Sequence, residues 1–169
     1  MNSLTRIKPA GFLRRIAAIF YDALIIVAIE MIAVGIVIAS MEALLSQNLI
    51  SYGSYIDASD LLNHHPVWSL FFHGYVAFIW IGFLSFFWMK GQTLGMRAWK
   101  LRIQNEDGSN ISFKQSILRV ATSFFGLGNL TVLFDPDKRA LQDMWSKCQV
   151  VHLSQSHELE SQKLPRKKS

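Results

Sequence analysis

Charged residues punctuate this chain and leave three apolar intervals between them. From Arg15 to Glu42 the run is broken only by Asp22 and Glu30. From Pro66 to Met89 there is no Asp, Glu, Lys or Arg. A third uncharged interval, residues 120–134, separates Arg119 from Asp135 and contains Gly126, Gly128 and Asn129. A bilayer core of about 30 Å takes roughly 20 helical residues. The first two intervals reach that length and predict full spans over about 16–41 and 67–89. The third rises only about 22 Å at about 1.5 Å per residue, and Gly-Leu-Gly-Asn interrupts it. Residues of about 112–134 are therefore expected to form a short re-entrant or tilted segment, helical from about Ser112 to Phe125 and then broken. Irregular backbone at membrane depth needs protein cover, so this segment should pack against the two spans.

Outside the spans, Lys100–Gln104 and Gln149–Leu153 alternate as strands do, and Glu106-Asp107-Gly108 signals a turn. The fold class expected is an all-α membrane protein with two transmembrane helices, a short third hydrophobic segment and a small cytoplasmic β-ribbon. Gly91 should end the second span, and Gly91 and Gly95 permit close backbone approach. Thr93–Lys100 reads as a short interfacial helix with Leu94, Trp99 and Leu101 toward lipid. Residues 1–153 are taken as one membrane domain. Residues 154–169, polar and basic without apolar period, are taken as a disordered cytoplasmic tail.

The distribution of Lys and Arg gives an orientation. Arg6, Lys8, Arg14 and Arg15 precede the first span. The first connection carries Glu42, Asp57 and Asp60 and no Lys or Arg, whereas Lys90, Arg97, Lys100, Arg102 and Lys114 follow the second span. The positive-inside rule puts the N-terminus and second connection in the cytoplasm. A re-entrant third segment keeps the basic C-terminal tail there too. The acids within the first apolar run, and the lack of a prompt small-x-small site after it, argue against a cleaved signal peptide.

Composition agrees. Hydrophobic residues make up 51% and charged residues 17% of the 169, against about 25% charged in a typical soluble domain. The net charge of +5 sits beside apolar segments, which favours anionic lipid headgroups over nucleic acid. The lone Cys148 builds neither a disulfide framework nor a metal cage. No nucleophile–base pairing, zinc spacing, dinucleotide fingerprint or P-loop ending is present, so neither an enzyme nor a cofactor is expected.

Ionisable groups inside spans are the sharpest candidates, since each costs about 2.5 to 3.5 kcal/mol on insertion scales. Asp22 lies seven residues after Arg15, roughly on the same helical face and about 10 Å along the axis. Arg119, at the mouth of the third segment, is the better-placed partner. Asp22 is read either as an ion- or proton-binding carboxylate or as half of a structural ion pair. Glu30, eight residues deeper, has no counter-charge in the second span and is read as a relay group or as hydrogen-bonded to Ser85, His73 or a neighbouring subunit. His73 reads as a packing residue. His64, His65, Asp57 and Asp60 match no defined metal spacing.

These pieces together resemble the RDD family of bacterial membrane proteins. Ala10-Gly11-Phe12-Leu13-Arg14-Arg15 with Ala17-Ala18 and Tyr21-Asp22 is similar to the family's first-helix motif. Gly91-Gln92-Thr93-Leu94-Gly95-Met96-Arg97, then Leu101-Arg102-Ile103 and Asp107-Gly108, are similar to its second block. Arg119 opens the third segment, and Lys138-Arg139-Ala140-Leu141-Gln142-Asp143 with Gln149-Val150-Val151 resembles the closing block. The resemblance covers about residues 9–153. It implies Arg15 or Arg14 as the signature Arg, and Asp22 and Asp143 as the signature acids. Trp145-Ser146-Lys147-Cys148 departs from the small, Gly-Thr-containing stretch usual there. The resemblance implies a multi-pass protein of the bacterial cytoplasmic membrane. Its activity is open, since most members have no assigned function and a few are associated with sodium–proton exchange. Two functions follow as expectations. One is an ion or small-solute transporter working as an oligomer, because two spans and a hairpin do not surround a path. The other is a non-transporting scaffold or accessory subunit in which Arg15, Asp22, Arg119 and Asp143 clamp the cytoplasmic helix ends. The bilayer and another membrane-protein chain, a second copy or a different protein, are the expected partners.

Overall fold

The computed structural model describes residues 8–153. The reading of residues 154–169 as a disordered tail lies outside them. In chain order the elements are β1 (Lys8–Pro9), α1 (Phe12–Ser46), α2 (Ala58–His64), α3 (Trp68–Met89), α4 (Leu94–Ala98), β2 (Leu101–Gln104), α5 (Phe113–Ser123), a 3₁₀ segment (Phe124–Leu133), α6 (Leu141–Ser146) and β3 (Gln149–His152). Among the described residues, α1 and α3 are long and apolar enough to cross a membrane. α1 is longer than the interval that foretold it. Its 35 residues rise about 52 Å, so it extends past the hydrocarbon core. Its Leu24, Val27, Met31, Ile32 and Ile36 are exposed, as are Leu70, Phe71 and Phe78 of α3. Contiguous exposed apolar surface of that extent has lipid as its natural solvent.

The chain divides into two compact units, one of residues 8–22 and 84–153, the other Ala23–Phe83. In the second, the end of α1, the loop after it and α2 share a small core. Tyr52, Ala58 and Leu61 are buried there, with Ile38, Met41, Leu45, Ile50 and Tyr55 packed against them. Asp57 starts α2 by accepting the Asp60 N–H at 2.7 Å.

In the first unit the third apolar segment takes the expected broken form. α5 and residues Gly126–Leu133 meet at 81°, with Gly126 at φ +97°, a conformation that L side chains rarely adopt. α5 is amphipathic in the inverse sense of a soluble helix. Ser116, Arg119 and Ser123, at spacings of three and four, share its buried face, while Phe113, Ile117 and Leu118 are exposed.

The alternating segments pair as a ribbon. Arg102 stands opposite Val151 and Ile103 opposite Val150, antiparallel. A two-stranded ribbon is marginal alone, and β1 adds a third strand on the far edge of β3, in the order β1-β3-β2. Leu101, Ile103 and Val150 join Ala10, Ala18, Met96, Ile111 and Cys148 in one core, with Trp88 against it. The placement of Leu101 toward lipid is therefore wrong. Lys100 takes φ +54°, the chain turns from α4 into β2 there, and Leu101 ends 1% exposed inside the sheet unit.

Candidate functional site

Arg15 leaves the first turn of α1 and is held by three acceptors. Its Nε donates to the Ala10 carbonyl at 3.2 Å, Nη2 to the Lys138 carbonyl at 3.1 Å, and Nη1 to Asp143 Oδ2 at 2.6 Å. Arg119 reaches the same carboxylate from α5, its Nη1 donating to Asp143 Oδ1 at 2.7 Å. The same Nη1 also donates to Cys148 Sγ, and the guanidinium lies 5.1 Å from the Trp88 ring centre, within cation–π range. Asp143 sits in the first turn of α6. Its Oδ2 also accepts the Ala140 N–H at 3.0 Å, and an acid in that turn suits the helix dipole. The three side chains are 4%, 3% and 1% exposed. Burial alone would push the Asp143 carboxyl up. The Arg119 and then the Arg15 guanidinium outweigh it, and the group lies below its ordinary value.

Asp22 is elsewhere. Its Oδ2 accepts the Thr93 hydroxyl at 2.5 Å and its Oδ1 the Gly95 N–H at 2.7 Å. Thr93 in turn caps α4 by accepting the Met96 N–H at 3.1 Å. This contact requires Gly95: a Cβ there would run into the Ala18 carbonyl and sit 2.9 Å from the Asp22 carboxyl carbon. The expected pairing of Asp22 with Arg119, and with it a four-membered clamp of cancelling charge, is corrected. Arg15, Asp143 and Arg119 form a triad with two cations and one anion. Asp22 is buried on neutral donors with no Lys, Arg or His in ion-pair range among the described residues. The axial rise of seven residues carries Asp22 past the triad, to the level of α4.

The remaining candidates are local. Glu30 is half-buried and makes no hydrogen bond or ion pair among the described residues. Ser85 Oγ, one of its expected partners, is buried and likewise unbonded among them. His73 is exposed, its Nδ1 2.6 Å from the Ser69 carbonyl of its own helix. Asp60 pairs with His64 at 2.8 Å, and His65 Nδ1 accepts the Val67 N–H. Among the described residues no three His, Cys, Asp or Glu converge to hold a metal ion. Sequence reasoning missed Thr93 and Cys148. The Gly91–Gly95 spacing pointed to a close approach near Thr93. Nothing in the sequence marked Cys148 as an acceptor for Arg119.

No curated protein and no solved structure matches the chain. The family model described as RDD family matches residues 9–147, a stretch that holds Arg15, Asp22, Thr93, Gly95, Arg119 and Asp143, and the chain belongs to that family.

Proposed function

We propose that this RDD family member moves a proton or small cation across the bacterial cytoplasmic membrane, with Asp22 as the group that takes the ion. The observation that carries this reading is the contrast between two buried carboxylates. Asp143 is neutralised by two guanidinium groups, whereas Asp22 has, among the described residues, only a hydroxyl and an amide. A buried charge without a counter-ion costs several kcal/mol, and taking up a proton or cation removes that cost. Glu30, one helix stretch further on, is a second acceptor for the same ion. Two spans and a broken segment enclose no path alone, so the working form is an oligomer. The Lys/Arg asymmetry supports cytoplasmic N- and C-termini, with residues 46–65 outside. Labelling a cysteine placed at Ser156 from the outside would overturn that orientation.

The test is flux. Protein reconstituted in liposomes with a pH-sensitive dye should dissipate an imposed Na⁺ or K⁺ gradient with proton movement. Asp22→Asn should lose the flux while melting close to the parent, since the amide keeps an acceptor for Gly95. Crosslinking in native lipid should give an oligomer. A scaffold role is the second reading, favoured by the internal closure of the Arg15–Asp143–Arg119 triad. Absence of flux in correctly folded parent protein would select it.

A further inference from the structure

We propose that the cavity formed by the end of α1, the loop after it, α2 and the start of α3 binds an amphiphilic organic cation, an apolar or aromatic body bearing one fixed positive charge. The cavity has a volume of about 670 Å³, inside the range of about 300–1,000 Å³ typical of small-molecule sites. Val37, Met41, Ile50 and Leu61 give it apolar walls, and Tyr52, Tyr55 and Trp68 give it aromatic faces. Ser51, Ser54 and His65 are on the lining too, and an acid is tied to it through Tyr52. The Tyr52 hydroxyl, on the wall, donates to Glu42 Oε1 at 3.0 Å. Burial raises the pKa of that hydroxyl, and Glu42 and Asp57 raise it further, so the field of both carboxylates reaches the wall.

No Lys or Arg lines the cavity, and the basic ring on its wall is His65, whose Nδ1 accepts the Val67 and Trp68 N–H groups. From Ile16 to Met89 there is no Lys or Arg. An anionic ligand would find no Lys or Arg to pair with on the lining, and a small hydrated metal ion would find no cluster of His, Cys, Asp or Glu among the described residues. A cation with a large apolar body satisfies both features: its charge lies near Glu42 and Asp57 and over the aromatic faces, and its body fills the walls. The cavity shares no residue with the Asp22 site, so either reading stands or falls without the other.

The experiment uses the full chain in phosphatidylcholine nanodiscs, with empty discs subtracted. It compares tetraphenylphosphonium with tetraphenylborate, ions of like shape and opposite charge. Saturable one-to-one binding of the cation and none of the anion is expected. Glu42→Gln keeps the acceptor for Tyr52 and should weaken binding about three- to fivefold, the loss of one partly exposed charge partner. Ser54→Trp, at an exposed lining position, should fill the cavity and abolish binding. Equal binding of the anion would mean an apolar hole open to any lipid tail and would overturn the proposal. So would non-saturable uptake of the cation, or full affinity in Glu42→Gln with an unchanged melting temperature.

Discussion

The two units of this chain handle charge in opposite ways. The described residues 8–22 and 84–153 hold twelve Lys and Arg against six Asp and Glu, while Ala23–Phe83 holds four acids and no Lys or Arg. Every buried polar or charged side chain among the described residues, from Arg15 to Ser146, falls in the first unit; the buried set of the second is Ile26, Tyr52, Ala58, Leu61 and Leu62. The first unit therefore adds a network of directional bonds among charges to its apolar core, while the second rests on burial of apolar surface. A charge network fails sharply when one member is removed, because the rest stay buried without partners. An apolar core loses stability by degrees, as volume and area are lost.

The largest effect should come from Asp143→Ala. It strands two guanidinium groups that are under 5% exposed, and breaking a buried ion pair costs about 3–5 kcal/mol. Folded protein in the membrane should fall steeply, read as monodisperse yield in mild detergent. Acid should reproduce the loss. The Asp143 pKa is depressed below 3.8 in the folded state, so its contribution is whole above the ordinary carboxylate range and is lost as pH falls through the folded value. The difference in stability between parent and Asp143→Asn should be constant from neutral pH down to mild acid. Below pH 3.8 it should close. A gap independent of pH down to acid unfolding would break the assignment of the triad as the main clamp.

Next in size is Gly95→Ala. The added Cβ meets the backbone carbonyl of Ala18 and the Asp22 carboxyl, and backbone cannot rotate away. Overpacking of this kind costs about 1–3 kcal/mol. The expected outcome is a lower melting temperature in detergent. If Asp22 is also the ion-binding group, the same substitution should reduce flux beyond its effect on folded yield, since it pushes the carboxylate off the Gly95 N–H. Normal melting would mean α1 and α4 approach less closely than the structure has them.

Much of this architecture was legible from charge spacing alone. Apolar intervals with two charges or none marked α1 and α3, because a lipid-exposed span tolerates few charges on any face. Gly126 and its neighbours marked the break after α5, because the interval was too short to cross. The ribbon of β2 and β3 followed from alternation. β1 did not, since a Lys-Pro pair carries no strand period and is held by its neighbour β3. Pairing among charges was legible only in part. The sequence grouped Arg15, Asp22, Arg119 and Asp143 as one clamp at the cytoplasmic helix ends, but which acid meets which base depends on side-chain reach across elements far apart in the chain. Neutral donors such as Thr93 and Gly95 leave no signature in charge patterning. Leu101 was misplaced for a related reason: a left-handed residue at Lys100 reverses the facing of everything after it, and a Lys there gives no warning.

The smallest effect should lie in the second unit, at Asp57→Ala. Asp57 caps the seven-residue α2, and losing a carboxylate cap costs about 1 kcal/mol. The substituted residue is exposed, so water satisfies the freed Asp60 N–H and no charge is left buried. Ala58, Leu61 and Leu62 still have apolar surface to cover, which limits how far α2 can fray. The expected result is a melting temperature lowered slightly, with hydrogen exchange faster in residues 57–65 and unchanged at Arg15 and Arg119. His64→Gln, which removes the exposed pair with Asp60, should fall below detection. An Asp57→Ala loss as large as that of Asp143→Ala would mean that the second unit also depends on its charges, and the contrast between the units would not hold.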